Sequence, residues 1–269
     1  MNNTGLIQKA ATEVKKTDRR SMQDYIKSME PEIKKALPAV ITPERFTRMV
    51  LSAISTTPKL ADCTPMSFMA AMMQAAQLGV EPNTPLGQAY LIPYSNNGRL
   101  ECQFQLGYKG LIDLAYRSGD VEIVQAQTVY ENDEFECEFG LEPKLKHIPA
   151  ADNRGNPIKF YAVFKTKAGG YGFDVMSVAD VQKHAQRYSK AYNSSYSPWK
   201  TNFEEMAKKT VLKKTLKYAP LKSEFVRAVM SDETIKTELS DDMYNVQPIV
   251  VEMDKTEVDT SAQESDRNE

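Results

Sequence analysis

Six lysines lie between Pro198 and Tyr218, a segment that contains only two acidic residues, Glu204 and Glu205. The lysines are Lys200, Lys208, Lys209, Lys213, Lys214 and Lys217. Because Pro198 opens the segment and Pro220 follows it, the sequence predicts a single helix of about five turns. Lys209, Lys213 and Lys217 recur at i, i+4 and i+8, on one stripe beside an apolar arc. A stripe of one charge sign indicates a polyanionic ligand, although for any single lysine a solvated surface is the ordinary alternative.

A second helix with basic residues precedes this segment. Ser177 and Asp180 have the spacing of a capping box, and the helix that they begin is predicted to reach about residue 190. Its outer side carries Lys183, Arg187 and Lys190, and the loop that follows is rich in aromatic residues. Two basic helices joined by an aromatic loop favour the binding of single-stranded nucleic acid, because cations neutralise phosphates and aromatic rings stack on bases. For Trp199 the alternative is a hydrophobic plug that closes the core.

The charges of the 269-residue chain are unevenly distributed, although the formal net charge is only −2. Residues 231–269 contain twelve acidic and three basic residues, whereas residues 1–230 contain 31 basic and 24 acidic residues. A basic body with an acidic tail is typical of nucleic-acid-binding proteins. We expect residues 1–20 to form a flexible arm, residues 21–230 a DNA-binding core domain, and residues 231–269 a largely disordered acidic tail.

Other classes of function find little support in the sequence. The three cysteines and two histidines lack the spacing of a zinc site, and the longest apolar run, Phe68–Met73, is too short to cross a bilayer. The polar N-terminus resembles no signal peptide, so a soluble, cytoplasmic protein is expected. No Gly-Lys pair occurs, which excludes a P-loop for ATP.

A metal-dependent nuclease is the main alternative among enzymes. Asp113, Glu131, Asp133 and Glu134 are carboxylates that could hold two metal ions, and Asp113, Glu131 and Asp133 are the main candidates. The ordinary interpretation is that residues 131–134 form a polar turn between strands. A passive single-strand binding protein is the alternative among binding proteins.

The periodicity changes from helical to alternating after residue 87 and returns to helical after residue 177. Asn97-Gly98 is a strong hairpin signal between strands at 88–94 and 99–106. Further strands are predicted at 121–130, 134–139, 158–166 and 171–176, and helices at 21–36, 43–56, 64–79, 107–118 and 221–230. Short connections between the strands favour an antiparallel β-meander, and the predicted fold class is α+β.

Two parts of this region remain ambiguous in the sequence. Gln103 and Gln105 lie on the polar face of the second hairpin strand, which either contacts solvent or touches a ligand. Lys109 and Arg117 either reach outward or pair with Asp113, which is four residues from each.

Five blocks of sequence go beyond composition and periodicity. They are Met73–Pro82 (MQAAQLGVEP), Gly87–Tyr94 (GQAYLIPY), Phe104–Asp113 (FQLGYKGLID), Val129–Glu134 (VYENDE), and Pro198-Trp199 followed by the lysine-rich segment. In this order they resemble the RecT family of phage-encoded single-strand annealing proteins. The resemblance covers residues 22–230 and leaves the acidic tail outside it.

The resemblance implies a protein of homologous recombination that is not an enzyme and needs neither ATP nor a metal or other cofactor. It implies binding of single-stranded DNA, an annealed duplex intermediate, and a homo-oligomer in the form of a ring or helical filament. The implied partners are a 5′–3′ exonuclease and the host single-strand binding protein, in the cytoplasm of a bacterium that carries the phage or prophage. The implied core is a β-meander crossed by a long helix, with DNA in a basic groove.

Mapped onto this sequence, the groove implies two sets of contacts. Contacts to phosphates are assigned to Lys109, Arg117, Lys183, Arg187, Lys190, Lys200, Lys208, Lys209, Lys213, Lys214 and Lys217. Stacking or polar contacts to bases are assigned to Tyr108, Gln103, Gln105, Asn96, Asn97, Arg99, Tyr188, Tyr192, Tyr196 and Trp199. The stripe of Lys209, Lys213 and Lys217 is the expected centre of phosphate binding, so changing Lys209 and Lys213 to Glu is expected to abolish annealing without unfolding the protein.

Overall fold

The computed structural model describes residues 28, 30–37, 41–189, 192–193 and 197–249. The helices are α1 (Glu30–Ala36), α2 (Pro43–Thr56), α3 (Pro65–Leu78), α4 (Tyr108–Arg117), α5 (Val178–Tyr188), α6 (Pro198–Thr201), α7 (Phe203–Thr215) and α8 (Ser223–Ser231). The strands are β1 (Ala89–Asn96), β2 (Arg99–Leu106), β3 (Val121–Tyr130), β4 (Glu134–Glu138), β5 (Lys144–Ile148), β6 (Pro157–Thr166) and β7 (Tyr171–Ser177). The arm predicted at residues 1–20 lies outside the described residues. No helix in the described part is long and apolar enough to cross a bilayer.

Strands β1 and β2 form a hairpin whose turn is Asn97-Gly98. Both turn residues have positive φ, 50° and 72°, which is the backbone that a tight two-residue hairpin turn requires. Asn96 pairs with Arg99, so the register is the one that the Asn-Gly signal predicts. The inner face of β2 contributes Phe104 and Leu106, both fully buried, and packs on α3.

An antiparallel sheet in the order β3–β6–β7 forms the centre of the fold, and α7 lies across all three of its strands. The two-stranded β4–β5 hairpin is inserted between β3 and β6. This arrangement confirms the predicted α+β class with an antiparallel meander and a crossing helix. Strand β5 was not predicted, because the lysines of Lys-Leu-Lys-His-Ile obscure its alternating pattern.

The lysine-rich segment consists of three pieces and is not the single helix that the sequence predicts. The short α6 ends at Asn202, whose φ of −141° and ψ of 50° are not helical, and α7 then runs for 13 residues. A 3₁₀ turn from Leu216 to Tyr218 completes the segment. The break at Asn202 separates Trp199 and Lys200 from the lysines of α7.

Helix α3 is almost entirely enclosed, and every residue from Ser67 to Ala76 is buried. Its Met- and Ala-rich surface is core packing, which confirms that interpretation over an intermolecular interface. Gly79 ends the helix with a φ of 61°, the left-handed conformation expected at that position.

Residues 231–249 pack against the body of the protein, which contradicts the expected disorder of this part of the tail. Ile235 and Met243 are buried, and Thr234 forms an isolated antiparallel bridge with Phe104 on the edge of β2. Gln77 of α3 donates from Nε2 to the backbone carbonyl of Ser240 at 3.0 Å. The prediction of disorder relied on the high content of acidic residues and did not take these apolar contacts into account. Residues 250–269 lie outside the described residues.

The buried thiols lead to a first prediction. Burial, together with a smaller contribution from the neighbouring carboxylates of Asp62 and Glu101, raises the pKa of Cys63 to about 12. Burial also raises the pKa of Cys102 well above its ordinary value. Because the thiolate is the reactive form, we expect iodoacetamide at about pH 8 to leave both thiols unmodified in the folded protein, while the half-buried Cys137 reacts faster. Mass spectrometry of tryptic peptides measures the alkylation rate of each of the three cysteines. In denaturant the three rates should become equal. Equal rates in the folded protein would contradict the described core.

Candidate nucleic-acid interface

The side chain of Lys209 is buried beneath the surface of α7, with only 4% of it exposed. Its Nζ atom lies 2.9 Å from Asp232 Oδ1 and 3.0 Å from Glu233 Oε1. Lys213 Nζ lies 2.8 Å from the second oxygen of Asp232. The Asp232 side chain is 0% exposed, and its Oδ1 also accepts a hydrogen bond of 2.8 Å from the backbone N–H of Leu106. We call Lys209, Lys213, Asp232 and Glu233 the Asp232 cluster.

Opposite charges keep this cluster ionised despite its burial. Burial alone would raise the pKa of the Asp232 carboxyl, but Lys209 and Lys213 outweigh burial and hold the pKa below its usual value. Burial alone would lower the pKa of Lys209, and the carboxylates of Asp232 and Glu233 instead raise it above its usual value. The prediction of an exposed phosphate-binding stripe is therefore wrong for Lys209. The expectation that Lys209→Glu leaves the fold intact is wrong for the same reason, since Glu would face two carboxylates.

The other lysines of α7 and of the turn that follows it differ in whether they form an ion pair with a carboxylate of the protein. Lys214 Nζ lies 2.8 Å from Asp174 Oδ1 on β7, and Lys208 Nζ lies 3.7 Å from Glu205 Oε1. Lys217, beyond the end of α7, is exposed, and within the described part of the chain it forms no ion pair. Of the predicted stripe, Lys217 is the lysine that is exposed and forms no ion pair among the residues that the structure describes.

Helix α5 presents exposed cations beside an aromatic ring. Lys183 and Arg187 are exposed, and neither forms an ion pair with another described residue. The Arg187 guanidinium lies 5.4 Å from the ring centroid of Tyr188, and the His184 ring lies 4.7 Å from it on the same helix. Tyr188 is 63% exposed, so this end of α5 offers an aromatic face beside free positive charge. The capping box of Ser177 and Asp180 that starts the helix is present as predicted.

Helix α5 lies alongside α7, and His184 on α5 lies within electrostatic range of charged residues on and next to α7. Burial lowers the pKa of His184; Glu233 acts in the opposite direction, and Lys213 and Lys217 lower the pKa further. The two helices therefore share one positively charged surface that borders the Asp232 cluster. We call it the α5–α7 surface and define it by Lys183, His184, Arg187, Tyr188, Lys213 and Lys217. His184 was not predicted, although its position between Lys183 and Arg187 could have indicated it.

A groove of about 500 Å³ opens where α5 ends, next to this surface. It is lined by Gln186, Arg187, Tyr188, Ser189, Tyr192 and Asn193. Lys200 Nζ donates to the backbone carbonyl of Asn193 at 2.9 Å, which fixes the lysine at the side of the groove. Tyr192 is half-buried and packs against the core, so only part of its ring is available to a ligand.

Trp199 is only 8% exposed and packs against Phe203, with ring centroids 6.1 Å apart. Its assignment to base stacking is wrong in this structure, and the alternative of a hydrophobic plug is what the packing shows. The assignments of Lys190 and Tyr196 fall outside the described residues.

Both glutamines of β2 make contacts within the protein, but only Gln105 is buried, whereas Gln103 stays partly exposed. Gln103 Nε2 donates to the backbone carbonyl of Glu233 at 3.2 Å. Gln105 is buried, and its Nε2 lies 3.6 Å from Met206 Sδ on α7. The polar face of β2 therefore fixes α7 and the segment after α8 against the hairpin.

The tip of the β1–β2 hairpin presents fewer polar groups than predicted. Asn96 is buried, and its Nδ2 donates to Glu101 Oε2 at 2.8 Å. Asn97 forms the turn, and both it and Arg99 are exposed. Of the predicted base contacts at this tip, the structure leaves Asn97 and Arg99 accessible.

Of the residues on α4 that were predicted to contact DNA, some are exposed and others are engaged within the protein. Arg117 Nη2 lies 2.9 Å from Asp113 Oδ2, which is the pairing that the sequence left as an alternative. Lys109 is exposed, whereas Tyr108 is half-buried beneath the Nζ atom of Lys208, 5.8 Å from its ring centroid. Lys109 forms no ion pair with any described residue.

Glu204 in the first turn of α7 fastens that helix to the sheet. Its Oε2 accepts a hydrogen bond from Thr128 Oγ1 at 3.0 Å and another from the hydroxyl of Tyr130 at 3.1 Å. The Arg154 guanidinium lies 4.3 Å from the ring centroid of Tyr130. From the sequence, Glu204 is only one of two acids among many lysines, and nothing local distinguishes it.

Asp133, one of the carboxylates considered for a nuclease, is saturated with protein donors. It accepts from Arg154 Nη2 at 2.6 Å, from the backbone N–H groups of Tyr130 and Ala150 at 2.9 Å each, and it lies 3.0 Å from His147 Nε2. The hydrogen bond from Arg154, followed by that from His147, lowers the pKa of Asp133. This network ties the β4–β5 hairpin to the sheet.

The other candidate metal ligands are engaged elsewhere. Asp113 pairs with Arg117, and Glu131 Oε2 accepts from the backbone N–H of Asn156 at 3.0 Å. Among the residues that the structure describes, no group of three or more side chains is arranged to hold a metal ion. The geometry offers nothing in support of the nuclease alternative.

Residues 44–248 match the sequence pattern of the RecT family. This chain belongs to the RecT family. It is 42% identical over 210 residues to Protein RecT of Escherichia coli strain K12, a match that covers 77% of each chain. It is 31% identical over 191 residues to Uncharacterized protein YqaK of Bacillus subtilis strain 168, across 70% of this chain and 64% of that protein. RecT membership supports DNA binding and single-strand annealing in DNA recombination.

The RecT match extends to residue 248 and so includes Asp232 and Glu233. The resemblance found in the sequence was too short when it stopped at residue 230. The Asp232 cluster is thus part of the RecT region of this chain and not of an added tail.

The Asp232 cluster leads to a prediction about stability. Asp232→Ala leaves Lys209 buried with only Glu233 and leaves the N–H of Leu106 without its acceptor, so we expect a loss of about 3–5 kcal/mol in the free energy of unfolding. Urea denaturation measures it. The control Asp241→Ala removes an exposed carboxylate and should change stability by less than about 0.5 kcal/mol.

The effect of Asp232→Ala has an expected pH dependence. Because folding lowers the pKa of Asp232, its contribution is present above the ordinary carboxyl pKa and is lost as the pH falls below about 4. Folding raises the pKa of Lys209, so the contribution of this ammonium is lost only at alkaline pH. The stability difference between the wild type and Asp232→Ala should therefore be constant near neutrality and shrink in acid; a difference that grows in acid would contradict the assignment.

Proposed function

We propose that this RecT-family chain is an ATP-independent DNA annealing protein that holds the phosphate backbone of single-stranded DNA on the α5–α7 surface. One observation carries the proposal. Lys183, Arg187 and Lys217 are exposed cations that form no ion pair with any described residue, and the Arg187 guanidinium lies 5.4 Å from the centroid of the exposed Tyr188 ring. Exposed cations next to an aromatic face are what a single strand requires.

The chemistry of annealing suits this surface. A strand must be held through its phosphates while its base edges stay open for pairing, and phosphate contacts carry no sequence information. Lysine is a flexible point charge and lacks the bidentate geometry with which arginine reads a base. Tyr188 can support one base by stacking without selecting its identity. The exposed Lys109 and Arg99 are further candidates for contacts along the same strand.

The wider setting follows from the family and remains part of the proposal. The protein assembles into a ring or filament on DNA, passes through an annealed duplex intermediate, and acts with a 5′–3′ exonuclease and the host single-strand binding protein in the bacterial cytoplasm. It needs no ATP or metal and catalyses no covalent step. Repetition of a weak surface along one strand supplies avidity that no single protomer has.

An annealing assay separates this function from its alternatives. Complementary oligonucleotides labelled with a donor and an acceptor fluorophore are mixed with the protein in EDTA, and energy transfer is followed with time. Faster pairing with intact strands on a gel supports annealing. Protection of strands without faster pairing indicates a passive binding protein, and metal-dependent shortening of the strands indicates a nuclease; either result would overturn the proposal.

The α5–α7 surface is tested by reversing its free charges. Lys183→Glu with Arg187→Glu should weaken binding of a fluorescent oligonucleotide at least tenfold at about 0.1 M salt, because two attractive phosphate interactions become repulsive. The slope of log affinity against log salt should become shallower by about 1.4, since each phosphate that the protein no longer neutralises reduces the slope by about 0.7.

The matched control changes net charge by the same amount elsewhere. Lys144→Glu with Lys165→Glu reverses two exposed lysines on β5 and β6, where Glu138 and Glu122 already pair with them. Affinity should fall much less, and the salt slope should stay within about 0.3 of the wild type. If both double variants lose affinity equally, long-range charge and not the α5–α7 surface determines binding.

A further inference from the structure

The Glu233 carboxylate lies at the border between the Asp232 cluster and the α5–α7 surface. Its Oε1 is 3.0 Å from Lys209 Nζ, and its charge acts on His184 together with Lys213 and Lys217. Its side chain is 48% exposed, in contrast to the fully enclosed Asp232. A negative charge thus reaches the positively charged surface on which a DNA phosphate is expected.

Glu233 and Asp232 differ in how firmly each is held. Asp232 accepts from two lysines and from a backbone N–H, and no solvent reaches it. The Glu233 carboxylate has a single partner in the described structure, Lys209, which Asp232 also neutralises. Turning the Glu233 side chain into solvent therefore leaves Lys209 with one carboxylate, whereas removing Asp232 leaves the core charge largely uncompensated. Glu233 is the exchangeable member of the cluster.

The backbone holds Glu233 in an unusual conformation. Its φ is 63°, in the left-handed region that residues other than Gly, Asn and Asp rarely adopt. The N–H of Glu233 donates to Phe104 O at 2.9 Å, and its carbonyl accepts from Gln103 Nε2 at 3.2 Å. These contacts with the edge of β2 fix the residue in a strained position, and strain of this kind is concentrated at functional sites.

We propose that the Glu233 carboxylate is a built-in competitor of a DNA phosphate on the α5–α7 surface. In the free protein the Glu233 carboxylate, bound to Lys209, places a negative charge at the edge of that surface. On DNA binding the Glu233 side chain turns into solvent, so that a phosphate meets the surface without this charge. Asp232 remains in place and keeps the core intact. This inference rests on the proposed function, because it assumes that single-stranded DNA binds this surface. It makes Glu233 a residue that limits the DNA affinity of each protomer.

The test is Glu233→Gln in the full-length chain, with a fluorescent oligonucleotide as the probe. Removing this partly exposed charge should tighten binding about threefold to fivefold at about 0.1 M salt. The slope of log affinity against log salt should steepen by about 0.7, because one more phosphate is neutralised without competition. A residue with only a structural role would not change the salt slope.

Glu238→Gln is the matched control, since Glu238 is exposed and forms no ion pair within the described residues. It removes the same charge from the same segment of the chain, and its affinity and slope should stay near those of the wild type. Glu233→Gly supplies a second variant that removes the carboxylate and suits a positive φ, so that a failure of Glu233→Gln to fold does not prevent the test. Urea denaturation confirms folding of each variant.

The outcomes distinguish the two proposals. A gain in affinity and slope for the Glu233 variants, absent in Glu238→Gln, supports the competitor. If the wild type binds and anneals DNA while the Glu233 variants match Glu238→Gln, the competitor is overturned and the proposed function stands. If the wild type neither binds nor anneals DNA, both proposals fail.

Discussion

The fold depends on one buried carboxylate, that of Asp232. It joins three parts of the chain that are distant in sequence: the lysines of α7, the backbone of Leu106 at the end of β2, and the segment that follows α8. Burying Lys209 and Asp232 carries a large desolvation cost, which their opposite charges at 2.9 Å and the further contacts of Asp232 with Lys213 and Leu106 offset. The β1–β2 hairpin therefore keeps its position relative to α7 only while this carboxylate is charged and in place.

Helix α7 is consequently held in place by ion pairs and hydrogen bonds of Glu204, Asp232 and Asp174, and it is not an open row of DNA contacts. Glu204 fixes its first turn to β3, and Asp232 fixes its middle. A lysine that is engaged in this way contributes little free charge to a ligand, because its field is already neutralised nearby. The cations left for phosphate are those at the margins, on α5 and after the end of α7. The number of lysines in a segment thus overstates the charge that it presents.

Local signals in the sequence identified the elements, whereas the positions of the charges could not be predicted from them. The capping box at Ser177, the helix end at Gly79 and the Asn97-Gly98 turn are each decided within a few residues, and each is present as predicted. Lys209 is different, because its partner Asp232 lies 23 residues away and arrives only when α8 folds back. A periodicity that ranks Lys209 with Lys217 cannot distinguish the buried residue from the exposed one.

An anion within a DNA-binding surface has a consequence that grows with assembly. Where several protomers bind one strand, their contributions to the affinity multiply. A threefold loss of affinity in each protomer is therefore multiplied by three again for every further protomer in the assembly. Annealing requires strands that are held firmly enough to be aligned and loosely enough to be rearranged during pairing. A half-exposed glutamate with a single partner among the described residues can be displaced from the surface and can return to it. The permanent absence of a lysine would also lower the DNA affinity, but that effect could not be reversed. The strained backbone of Glu233 is the physical means by which such a reversible competitor is kept at the edge of the α5–α7 surface.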